Sequence, residues 1–123
     1  MIGPGLRGGL LALTLTLTLP GAAGAQQMAE SAGVYLRGLD KVSGLTTDLA
    51  LSVGDTLSYG RMEIRLGGCR YPADNPAADA FAFLEIIDEL RGERLFHGWM
   101  IASSPALNAL DHPRYDVWVL GCQ

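Results

Sequence analysis

The sequence predicts an all-β protein, a small sandwich or open barrel of about seven strands with one short helix and one disulfide, and three observations carry that expectation. Short apolar runs alternate with polar residues at period two, most cleanly where Met62, Ile64 and Leu66 interleave with Arg61, Glu63 and Arg65. Glycine, proline, asparagine and aspartate punctuate those runs. Only one stretch, Ser103–Leu110, carries helix signals.

The chain opens with one cation, Arg7, ahead of an uncharged stretch from Gly8 to Leu19 that is rich in leucine and Leu-Thr repeats. About a dozen such residues are too few to cross a bilayer core as a helix, which takes about 20. Pro20 and Gly21 break the stretch, and Ala23 with Ala25 forms the A-x-A pair that a signal peptidase accommodates. Residues 1–25 therefore read as a signal peptide cleaved after Ala25, leaving no stable membrane span. The alternative is an internal apolar strand over Leu13–Leu17.

Residues 26–33 are small and polar without period and read as a flexible lead-in, so 34–123 forms a single domain. Val34–Asp40 has β-favouring residues bounded by Gly33 and a turn at Lys41–Gly44. In the next run Leu45, Thr47, Leu49 and Leu51 share one face. After the Gly54-Asp55 turn come Thr56–Tyr59 and Arg61–Leu66, with Gly67-Gly68 permitting a bulge or sharp bend before Cys69. Tyr71–Pro76 holds two prolines and reads as loop. Phe81–Ile87 is apolar on both faces, which argues for a central strand, with a short buried helix as the alternative, and Arg94–Ile101 reads as its return strand with Leu95, His97, Trp99 and Ile101 on one face. In the helix segment Ser103 or Ser104 caps, Pro105 takes the first position, and Asp111-His112-Pro113 ends it. The last strand, Tyr115–Leu120, runs into Cys122.

Export places Cys69 and Cys122 in an oxidising compartment, where one disulfide is the simplest account and two buried thiols the alternative. Closing a loop of about 54 residues is worth about 4 kcal/mol in the chain-entropy model, a large share of a small domain's stability. Loss of Arg7 with the leader takes the formal charge from −4 to −5. No basic stripe with interleaved aromatics is present, which excludes nucleic acid as the expected partner.

No cofactor is expected. Two histidines and two cysteines lack close ligand spacing, and Asp74-Asn75 in a proline-rich turn is read as a turn rather than a calcium site. His97 reads as a core or sheet-face residue. Ser104, His112 and Asp111 supply the residue types of a small envelope hydrolase, without the G-x-S-x-G elbow that would position the serine. Phe96, Trp99, Tyr115 and Trp118 flank the helix segment in sequence. Trp99, Ser103, Ser104, His112, Tyr115 and Trp118 are therefore the candidate binding residues, on a surface rimmed by Ser103–Pro113.

The runs Leu36–Val42, Tyr59–Ile64, Cys69–Pro72, Ala82–Ile86, Phe96–Pro113 and Tyr115–Val119 with Cys122 resemble the family called domain of unknown function 2155. The resemblance implies a small exported alphaproteobacterial protein, a periplasmic home and a place for both cysteines, with no assigned activity. His97 stands where many relatives carry serine, which counts against a required base. A non-catalytic binding or assembly module with a protein partner in the cell envelope is the resulting expectation. An accessory subunit on the periplasmic side of a membrane complex such as respiratory complex I is the alternative.

The leader reading has a direct check. Amino-terminal sequencing of the protein isolated from the cell envelope is expected to start at Gln26, and an intact Met1 contradicts it.

Overall fold

The structure, a computed structural model, describes residues 11–17 and 27–123. Leu11–Leu17 are exposed and form no strand, and the expected cleavage site lies outside the described residues. Eight strands follow: β1 Met28–Ser31, β2 Gly33–Asp40, β3 Thr46–Ser52, β4 Thr56–Tyr59, β5 Met62–Pro72, β6 Phe81–Asp88, β7 Arg94–Ile101 and β8 Tyr115–Cys122.

The organising strand is β5. It gives one edge to β6 and divides the other between two short strands, β4 against Met62–Arg65 and β1 against Cys69–Pro72. With β7 beyond β6 this makes a five-stranded antiparallel sheet. A second sheet has the order β3-β2-β8. The two pack face to face as an open sandwich and do not close into a barrel, because alternation sends the same class of residue inward from each. Val34 and Leu36 of β2 and Val117 and Val119 of β8 meet Met62, Ile64, Leu66, Leu84, Ile86, Phe96 and Met100 of the larger sheet. No polar or charged side chain is buried among the described residues.

Three register shifts interrupt the alternation: at Gly67 between β5 and β6, at Leu120 between β8 and β2, and at Leu95 between β7 and β6. The first is the bulge that Gly67-Gly68 predicts. Beyond it β5 continues to Pro72, where the sequence reads as loop. Cys69 and Cys122 form a disulfide with Cα atoms 5.8 Å apart. The bond joins β5 of one sheet to β8 of the other.

Two expectations need correction. Met28–Ser31, expected within a flexible lead-in, form β1, and Ala32 alone carries the chain across to β2 in the other sheet. Their strand character comes from pairing with β5, not from propensity. The short helix over Ser103–Leu110 is absent. That segment is a series of turns with single bonds from Ser104 N–H to Ile101 O and Leu107 N–H to Ser104 O. Two helical turns do not repay nucleation, and tertiary bonds compete for the caps. The Ser103 hydroxyl donates to Asp79, the Asn108 amide donates to Trp99 O, and Leu110 is buried against the core. The segment covers the outer edge of β7, which would otherwise be open to another chain.

Asp40, at the end of β2, accepts from the Arg114 guanidinium at 3.1 and 3.3 Å and from the amides of Val42 and Ser43. The Arg114 bonds outweigh desolvation and lower its pKa from 3.8 to about 2. A carboxylate depressed in the fold stabilises above its unfolded pKa and loses that contribution as pH falls through the folded one. The gap in melting temperature between the wild type and Asp40→Asn is expected to be full at pH 5 and to close towards pH 2. A gap that does not change with pH contradicts this.

Candidate functional site

Of the residues expected to form one surface, the structure unites only part. Trp99 lies on β7 between buried Phe96 and Met100 and so faces outward from the larger sheet. Trp118 lies between buried Val117 and Val119 and faces outward from the smaller sheet. The two tryptophans therefore occupy opposite faces of the sandwich. Phe96 belongs to the core.

Ser103 sits at the sheet margin, where its hydroxyl and amide donate to the two oxygens of Asp79 at 2.6 and 3.0 Å. Burial works against that carboxylate, but the bonds from Ser103 and the Ala80 amide hold it below the usual range. The Ser104 side chain is exposed. His112 and Tyr115 do meet, with ring centroids 5.4 Å apart, and Tyr115 also packs edge-on against Tyr59 at 5.5 Å. His112 Nδ1 accepts from the amides of Arg114 and Tyr115, both at 3.0 Å. Accepting there puts the proton of the neutral ring on Nε2, the reverse of the tautomer in a serine triad. Among the described residues no hydrogen bond joins Ser104 to His112. Nor is any group of three or more His, Cys, Asp or Glu side chains placed to hold a metal ion.

The more developed surface lies around Trp99, and most of it was not a sequence candidate. Cross-strand pairing lines up the outward side chains of the larger sheet in rows. One row is Glu30, Arg70, Phe81 and Ile101; the next is Gly68, Phe83 and Trp99; the third is Arg65, Glu85 and His97. Phe83 meets Trp99 edge to face at 5.2 Å and His97 at 5.1 Å. The Arg70 guanidinium lies 5.1 Å from the Trp99 ring centre.

Gly67 and Gly68 make this arrangement possible. A Cβ on Gly67 would come within 2.8 Å of the Phe83 ring, so the bulge glycine gives that ring its seat. Gly68 stands opposite Phe83 with open space where a side chain would be. The result is a depression of about 300 Å³ over Gly68, continuous through Trp99 and Arg70 with a second of about 250 Å³ against Met28 and Phe81. Through Phe83 it reaches a third of about 270 Å³ beside Arg65, Glu85 and His97. His97 is thus a sheet-face residue, with Arg94 donating to Nδ1 at 3.4 Å and Glu85 3.9 Å from Nε2. No helix among the described residues is long and apolar enough to cross a membrane.

With the geometry in place, comparison with known proteins adds a lineage and no activity. The model of a family described as "uncharacterized protein conserved in bacteria (DUF2155)" matches residues 34–122. An uncharacterized protein, RP359, of Rickettsia prowazekii (strain Madrid E) is 28% identical over 87 residues, covering 68% of this chain. The match spans 56% of that relative's length. No solved structure matches.

His112 has a structural role that can be measured. Replacement by alanine leaves two partly solvated amides without their acceptor and is expected to cost about 0.5–1.5 kcal/mol in urea unfolding. His112→Asn, whose side-chain oxygen can replace Nδ1, is expected to recover most of the loss; equal losses in both variants contradict the capping role.

Proposed function

The chain belongs to the domain of unknown function 2155 family, and from that premise we propose that it is an exported, non-catalytic binding module whose docking site is the Trp99 groove. One observation carries the reading: two aromatic rings and an arginine surround a strand position, Gly68, that lacks a side chain. An ordinary solvated sheet face fills such positions with polar residues, whereas large half-exposed rings around a gap are the composition of an interface anchor. The inter-sheet disulfide and the β7 cover hold the surface rigid, which lowers the ordering cost of binding.

Export to the periplasm is supported by the leader pattern and by the disulfide, a bond that persists in oxidising compartments. The partner is accordingly sought in the cell envelope.

Truncating an anchor residue costs about 2 kcal/mol or more, about a 30-fold loss of affinity. Affinity purification from envelope membranes in mild detergent is expected to recover a specific protein with the wild type and with Trp118→Ala, on the opposite face. The same protein is expected to be lost with Trp99→Ala and with Phe83→Ala. An unchanged set of co-purifying proteins from folded Trp99→Ala ends this reading.

A further inference from the structure

We propose that the groove takes an extended peptide with acidic, apolar and acidic side chains at alternate positions, the apolar one over Gly68 and the acidic ones at Arg70 and Arg65. The proposal rests on the docking reading above and adds the chemistry of the occupant.

Spacing argues for a peptide. Successive outward rows of the sheet are two residues apart, about 6.6 Å along the strand, and an extended chain laid beside them repeats its side chains at the same interval. The Arg70, Gly68 and Arg65 rows are thus in step with positions i, i+2 and i+4 of a ligand strand. The bulge keeps this step, since its extra residue, Gly67, takes no place of its own opposite β6.

The middle position is apolar and empty. A Cβ on Gly68 would meet nothing within 4 Å, and Phe83, Trp99 and Val53 line the space. About 300 Å³, open to solvent, suits one large apolar side chain better than it encloses a free small molecule.

The outer positions are cationic. Arg65 has no carboxylate within 4.0 Å among the described residues, because Glu85, directly opposite it, turns to Arg94 at 3.2 Å and His97 at 3.9 Å. Arg70 has one ion pair, with Glu30 at 3.4 Å, whose side chain is 77% exposed. Such a pair is weak and exchangeable. Glu30 reaches Arg70 from the edge strand β1 and marks where a ligand carboxylate sits.

The test is a titration of the isotope-labelled exported protein, followed by nuclear magnetic resonance, with three synthetic peptides. The first is acetyl-Gly-Glu-Ser-Leu-Ser-Glu-Gly-amide; the second has lysine for both glutamates, and the third has alanine for leucine. The acidic peptide is expected to shift the Trp99 indole and the amides of Gly68, Arg70 and Phe83, and to bind about fivefold more tightly than the lysine peptide. The alanine peptide is expected to bind about tenfold more weakly.

Gly68→Val fills the seat from within. Gly68 is not among the glycines with positive φ, so the variant is expected to keep the wild-type spectrum and melting temperature while losing the peptide. Arg65→Glu with Arg70→Glu is expected to reverse the preference towards the lysine peptide. Equal binding of the acidic and lysine peptides at Trp99 overturns the charge assignment and leaves the groove a docking site. Undiminished binding by folded Gly68→Val overturns the seat. No shift at Trp99 from any of the three peptides overturns both the proposal and the docking reading.

Discussion

Two β-bulges, one in β5 and one in β8, decide which side chains this sandwich turns inward, and both its covalent closure and its groove follow from them. Strand side chains alternate, so one extra residue reverses the direction of everything beyond it. Met62, Ile64 and Leu66 point into the core; continued without interruption, that run would bury Arg70 and expose Cys69. The extra residue at Gly67 exchanges them. In β8, Val117 and Val119 point inward, and the extra residue at Leu120 brings Cys122 rather than Gly121 to the inner side, opposite Val34. Each half-cystine therefore lies two residues beyond a bulge. A buried, unpaired Arg70 would cost several kcal/mol, while the disulfide contributes about 4 kcal/mol in the chain-entropy model, so the bulged register wins on both counts.

The same reversal assembles the proposed binding surface. Arg70 comes to stand over Trp99, Gly67 yields space to Phe83, and Gly68 leaves a gap between the rings. These rings meet edge to face rather than lying coplanar, so they form the walls of a depression and not a flat platform. On one side β1 supplies Met28 and Glu30; on the other, the Ser103–Pro113 segment closes the margin of β7 and keeps that edge from pairing indiscriminately. The groove is built on paired strands next to a covalent link between the sheets, which gives the proposed docking site a preformed shape.

What could be read from the residues was what is local. Alternation at Met62–Leu66, the double-sided apolar run at Phe81–Ile87 and the glycine pair at 67–68 each have a short-range signature, and all of them hold. β1 has none, because Met-Ala-Glu-Ser becomes a strand only when β5 offers an edge. The helix signals at Ser103–Leu110 are genuine local preferences, overridden by bonds to Asp79 and Trp99 O, partners that lie outside the segment. Trp99 was legible as a candidate, but its neighbours Phe83, Arg70, Arg65 and Gly68 were not, since their adjacency exists only through cross-strand pairing. Trp118, close to Trp99 in kind and in sequence, was separated from it by the division into two sheets.

Deleting Gly67 and, separately, inserting a glycine after it test the assignment of Gly67 as the extra residue of the β5 bulge. The account predicts that the deletion variant, in which Leu66, Gly68 and Cys69 alternate without a bulge opposite their present partners, keeps the Cys69–Cys122 bond, whereas the insertion, which moves Cys69 away from its place opposite Ala82, leaves two titratable thiols. A deletion variant with two titratable thiols, or an insertion variant with an intact Cys69–Cys122 bond and a wild-type melting temperature, would contradict it.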